Sequence, residues 1–195
     1  MKKKSIILLI GVISLYTLLM SLVLRNSKDK DLRVEEYFPS EKMTKKFSGG
    51  YEREGFSHIV ERLENGKVLI KQWDTGTGVA QVYQVSNRDI RLIYSETGES
   101  LLKDYINEVE PNRDHITLKA PLTVGTRWTS NTAGINEITG VNVKVFTLVG
   151  VFYAVEVTHK DNKYESKSYF AKKIGLIKRT RKGYESDNLI KLKYN

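Results

Sequence analysis

The chain has 195 residues, 32 Lys and Arg against 23 Asp and Glu, three His and no Cys. Without cysteine there is no disulfide scaffold, no thiolate metal site and no residue to carry the lipid of a lipoprotein signal. The net charge of +9 suits an anionic partner, and it is uneven: residues 160–195 carry +7, whereas residues 25–159 carry −1.

Residues 1–4 form a basic head with Lys2, Lys3 and Lys4, and residues 5–24 follow as twenty residues without a charge. At about 1.5 Å rise per residue such a helix covers roughly 30 Å, the hydrocarbon thickness of a bilayer, so one transmembrane helix is expected. A signal peptidase wants small residues at the exit, but Leu22-Val23-Leu24-Arg25 offers only Ser21 nearby, which favours an uncleaved signal anchor. Orientation is less settled, because Arg25, Lys28, Lys30 and Arg33 after the span outnumber the three lysines before it. A basic head before an apolar run is how an export signal begins, so the rest of the chain is expected outside the cytoplasm. Residues 25–36 are charged at eight positions and read as a solvated tether, leaving residues 37–195 as one extracytoplasmic domain.

From Tyr37 onward the apolar period is mostly two. Asn65-Gly66 between Ile59–Leu63 and Lys67–Trp73 supplies the positive φ angles of a two-residue hairpin turn. Val79, Gln81, Tyr83 and Val85 share one face, and Val141, Val143, Val145, Thr147 and Val149 alternate with Asn142, Lys144, Phe146 and Leu148 before a turn near Gly150. Further strands are expected at Asp89–Tyr94, His115–Leu118, Tyr164–Phe170, Leu176–Arg181 and Leu189–Tyr194. The fold class is therefore all-β and antiparallel, a strongly curved sheet or open barrel, with a two-sheet sandwich as the alternative. Leu101, Leu102, Tyr105, Ile106 and Val109 break the pattern and predict a short helix or an irregular crossover.

The sequence holds no strong catalytic motif. His58, His115 and His159 are far apart and in no ligand spacing, so they read as ordinary strand or loop histidines, and no metal or cofactor is expected. GxSxG, SxxK and GxxxxGK[ST] are absent. Asp74-Thr75-Gly76 matches the tripeptide of aspartic proteases, but one copy cannot make the shared-proton pair, and Asp-Thr-Gly-Thr-Gly is good turn chemistry. A hydrolase whose carboxylates converge only in the fold, for example Glu61, Asp74 or Asp104, is the competing expectation.

The basic third suggests an anionic-surface site made by Lys172, Lys173, Lys178, Arg179, Arg181, Lys182, Lys191 and Lys193. The bland account is that these residues solvate the outer faces of strands, as the alternation of Ile190, Leu192 and Tyr194 with Lys191 and Lys193 suggests. Nucleic acid is not expected, for want of the aromatic and basic motif of a known module. Trp73, Trp128, Tyr83, Tyr94, Phe152, Tyr153, Tyr169 and Phe170 could line a cleft, but their setting among Val and Ile favours a core.

Tyr37-Phe38-Pro39, Gln81 to Val85, Ile116 to Trp128 with its Pro-Leu-x-Val-Gly-x-x-Trp phrase, Gly150 to Val157 and Tyr169 to Lys178 occur in that order. Together they resemble an uncharacterised family of exported, often lipoprotein-type β domains of Gram-positive bacteria. The resemblance covers nearly all of residues 37–182 and implies an extracytoplasmic, mostly β domain without a catalytic residue to carry over. The chain departs from the pattern in lacking the lipid-bearing Cys and in having Phe47 where Trp is common. Within the phrase, Pro121 and Gly125 shape a turn, leaving Leu122, Val124 and Trp128 to plug one end of the sheet.

The expected function is a non-catalytic binding or scaffold domain of the cell envelope. Its partners would be the bilayer through residues 5–24 and an anionic lipid, wall polymer or envelope protein. A ligand-sized cavity would argue for carriage or sensing of a small molecule, and a filled interior would leave only surfaces.

Overall fold

The computed structural model describes residues 32–49, 55–74, 76–130 and 134–195; the span expected at residues 5–24 lies outside them. Among the described residues no helix is long and apolar enough to cross a membrane. Twelve strands follow one another: β1 Met43–Phe47, β2 Ser57–Glu64, β3 Lys67–Trp73, β4 Gly78–Val85, β5 Asp89–Gly98, β6 His115–Lys119, β7 Arg127–Ser130, β8 Gly134–Thr147, β9 Gly150–Lys160, β10 Glu165–Ala171, β11 Gly175–Arg181 and β12 Tyr184–Tyr194. Each pairs antiparallel with its sequence neighbour except across β6 and β7, and β12 closes on β1 with Met43 opposite Tyr194. The result is one nearly closed barrel, not the two-sheet alternative.

The open seam between β6 and β7 is bridged by a side chain. Trp128 on β7 is buried and its indole N–H donates to the Ile116 carbonyl of β6 at 2.9 Å. That satisfies the one polar atom of a large apolar group and replaces part of the missing ladder. Leu122 is buried beside the turn as expected, but Val124 is 62% exposed, because Gly125 at φ 94° carries the chain outward there.

Local chemistry explains most turns. Asn65 at φ 52° and Gly66 at φ 73° close the β2–β3 hairpin with Glu64 opposite Lys67. The β8–β9 turn falls on Leu148 and Val149, with Thr147 opposite Gly150, so Gly150 begins the return strand instead of forming the turn. Residues 99–114 form no helix; they cross the outer face of the sheet, where Leu101, Tyr105 and Ile106 pack on Leu69, Ala80 and Val82. Helical spacing fails here because Leu102 points into solvent and Asp104 caps the turn by accepting from the N–H groups of Ile106 and Asn107.

The tether expected to run through residue 36 ends earlier. Val34–Tyr37 form a 3-10 turn whose Val34 and Tyr37 are buried, three residues apart on one face, while the intervening Glu35 and Glu36 give the segment its charged look. The turn is pinned by Lys173, whose N–H donates to Glu36 O and whose carbonyl accepts from Ser40 N–H. Residues 33–42 and the β2–β3, β4–β5, β6–β7, β8–β9 and β10–β11 connections therefore occupy one end of the barrel, called proximal; the other connections lie at the distal end.

Candidate ligand-binding cavity

Strand alternation puts one side-chain set of each strand inside the barrel, and that set leaves a cavity of about 370 Å³. This falls in the range of small-molecule sites. Phe38 and Pro39 approach it from the proximal side, where Phe38 meets Tyr83 with ring centroids 5.0 Å apart and Pro39 lies against Gly175. Ile70, Leu92, Val157, Phe170 and Leu176 add apolar wall. Much of the remaining lining is polar or basic, including Lys45, His58, Gln72, Gln81, His115, Asn136, His159, Ser166, Ser168, Arg179 and Arg181. Its lining contains no carboxylate.

A bulge decides which cations enter. Phe170 stands opposite Leu176, but Tyr169 stands opposite Lys178, so β11 holds one extra residue at Ile177. Beyond it Ser168 faces Arg179 and Ser166 faces Arg181, all on the inner side, whereas Lys178 shares the outer side with Tyr169. If β11 alternated strictly through Ile177 with no bulge, Leu176 would share its face with Lys178 and Thr180, and both arginines would point outward.

The electrostatics follow from burial. Lys45 is 1% exposed and its ammonium donates to the carbonyls of Ile174 and Leu176 at 3.0 and 3.2 Å; desolvation pulls its pKa down to about 7. His58, beside Lys45 in register, sits at 3.0 Å from Gln72 Oε1 through Nε2. Burial first, then Lys45, pulls it down to about 3, so it is neutral at physiological pH. Arg179 bears on both His58 and the Tyr83 phenol, which burial pushes up to about 12. Arg179 stands opposite the buried Asp187 of β12. At the distal side Arg181 lies 5.8 Å from the Tyr164 ring, and the His159 ring lies over Gly134, where any Cβ would strike its Cε1. His159 Nδ1 is 3.1 Å from Asn136 Oδ1.

Four buried side-chain polar atoms among the described residues lack a close hydrogen-bond partner: Glu35 Oε2, His58 Nδ1, Asn136 Nδ2 and His159 Nε2, the last of which lies 3.7 Å from Asp161 Oδ2. Three of them belong to cavity residues. Native interiors seldom leave such atoms unpaired, so their clustering marks a place suited to a polar occupant.

All three histidines line this one cavity, a convergence that spacing along the chain could not reveal because they come from β2, β6 and β9. They do not make a metal centre: among the described residues no group of three or more His, Asp or Glu has the geometry to hold an ion. Of the eight basic residues expected at a surface, Arg179 and Arg181 are brought together at the cavity, Arg179 half-buried and Arg181 exposed at its distal side. Lys172 and Lys173 sit at the β10–β11 turn, where Lys172 pairs with Glu36 at 2.8 Å, Lys182 sits at the distal β11–β12 turn, and Lys191 and Lys193 are exposed along β12. Glu61, Asp74 and Asp104 do not line the cavity. Glu61 pairs with Lys71 at 2.6 Å, Asp104 is held ionised by Arg62 at 2.8 Å, and Asp74 is exposed at the β3–β4 turn. Among the aromatic residues Trp128 and Phe170 are buried as a core requires, Tyr83 and Phe170 line the cavity, and Tyr153 is exposed instead.

No protein-family model matches the chain, and no curated protein matches it. Among solved structures it is similar to a protein from Bacteroides fragilis, provisionally described as exported and of YmcC-like fold. The two share 13% identity over 80% of this chain and 98% of the other, with a TM-score of 0.48.

Proposed function

We propose that the barrel is a non-catalytic receptor for a small hydroxylated anion, held at the membrane by residues 5–24 on the extracytoplasmic side. The observation that carries this is the cavity itself: it gathers Lys45, Arg179 and Arg181 with three histidines and has no carboxylate in its lining. A phosphate or carboxylate would meet Arg181 in charge-assisted hydrogen bonds. Hydroxyl groups would suit Gln72, Gln81, Ser166 and Ser168, and the wall of Leu92, Phe170 and Leu176 would take an apolar ring face. The export signal in the sequence and the phrases shared with exported β domains support the location. Lys172 and Lys173, at the proximal end, would face anionic headgroups.

Titration calorimetry of the full chain in detergent, with glucuronate and inorganic phosphate as anions and glucose as the neutral control, tests the cavity. Binding of an anion that weakens with salt, and weakens about tenfold or more in Arg181→Gln, is expected. Equal binding of glucose, or an Arg181→Gln variant that binds like wild type, would overturn the anion reading. Protease digestion of intact cells tests the location, since residues 37–195 should be cut from outside.

A further inference from the structure

Large apolar side chains are not exposed evenly over the barrel. Among the described residues Val124, Phe146, Leu148, Val151, Tyr153 and Tyr194 are exposed at the proximal end, whereas Leu102, Ile135 and Tyr164 are exposed on the distal connections and strand ends. Most of the proximal group lies on the β8–β9 hairpin. β10 ends with Ala171 opposite Ala154, so residues 144–153 run past it, and Val145 on the opposite face of this arm is buried. Phe146 stands opposite Val151 and Lys144 opposite Tyr153, giving one face, continuous along β9 with Val157 and His159, that is 65%, 49% and 62% exposed at Phe146, Val151 and Tyr153, with Leu148 at 82% on the tip. Residues 141–155 contain one charge, Lys144, and no acid. So concentrated an apolar surface on a monomer marks an interaction site.

The chain itself indicates what covers it. The described barrel begins at the same end, and only residues 25–32 separate it from the twenty uncharged residues 5–24. Eight residues reach at most about 29 Å when fully extended. An aromatic and aliphatic tip that carries Lys144 and no acid matches a bilayer interface with anionic headgroups. We propose that the β8–β9 tip seats the barrel on the membrane that residues 5–24 cross, so that the distal side of the cavity faces away from the bilayer. This rests on the reading of residues 5–24 as a span.

The absence of cysteine permits a single-label test. The full chain carrying Leu148→Cys at the tip, or Asn162→Cys at the distal β9–β10 turn, is labelled with a polarity-sensitive fluorophore. It is then reconstituted into vesicles of phosphatidylcholine and phosphatidylglycerol. Carbonate-resistant flotation reports the span, and quenching by aqueous iodide reports the tip. Flotation with several-fold weaker quenching at Leu148→Cys than at Asn162→Cys, partly reversed by adding Phe146→Ser, is the expected result. Flotation with equal quenching overturns the seating and leaves the span intact, while loss of flotation in carbonate overturns both. Shielding that disappears when the protein is diluted in lipid would mean that a second copy covers the tip, and would also overturn the proposal.

Discussion

Lys45 and His58 show how one buried pair shapes the response to pH. Each holds its proton less tightly in the fold than in the open chain, at about 7 against 10.5 for Lys45 and about 3 against 6.5 for His58. Between each pair of values the unfolded chain binds the extra proton, so stability rises with pH across both intervals and falls as acid is added. Thermal melts should therefore show a gain between pH 7 and about 9 of at most about 3 kcal/mol, which Lys45→Met removes. A wild type that is flat over that range would show that the two carbonyls hold Lys45 charged. Trp128 makes a second residue-scale case. Trp128→Ala should destabilise by about 3–5 kcal/mol in denaturant unfolding, and Trp128→Phe, which loses chiefly the bond to Ile116, by about 1–2 kcal/mol.

Bulges do at the scale of elements what single residues cannot. Ile177 on β11 changes which alternate side chains face inward, and the sequence offers no glycine or proline at the position to signal it. Deleting Ile177 leaves Lys178 opposite Tyr169 and Arg179 opposite Ser168, so anion binding should persist, whereas inserting one alanine between Lys178 and Arg179 should turn Arg179 and Arg181 outward and abolish binding while the far-ultraviolet circular dichroism of strands persists. Retained affinity in the insertion variant would mean that Lys45 and the histidines suffice. The β2–β3 hairpin is the opposite kind of element, written locally in Asn65-Gly66. Gly66→Ala forces a Cβ into a φ of 73° and within 3.0 Å of Gln84 Nε2, and should lower stability by about 1 kcal/mol without changing ligand affinity.

For the whole molecule the weak line is the seam. β6 and β7 each have one ladder neighbour, and a tryptophan hydrogen bond stands where backbone pairing would be. Amide hydrogen exchange should accordingly be faster in Ile116–Lys119 and Arg127–Thr129 than in β3 or β10, which are paired on both sides. Protection at the seam equal to that of β3 would show that the barrel is closed in solution by more than Trp128.

What the sequence by itself determined is local: an antiparallel all-β domain, the Asn-Gly hairpin, the tryptophan that needs a partner, and a long uncharged run before the domain. These depend on alternation, turn chemistry and length, which neighbouring residues encode. Tertiary structure decided the rest. It placed Val34 inside the fold, which a charged neighbourhood had hidden, and it laid residues 99–114 over an outer face instead of winding them into a helix. It also brought His58, His115 and His159 to one cavity with two arginines taken from a row that looked like surface. Such a site is made by curvature and by a single extra residue in one strand. Ladder register and barrel closure couple positions more than a hundred residues apart, and no periodicity along the chain records that coupling.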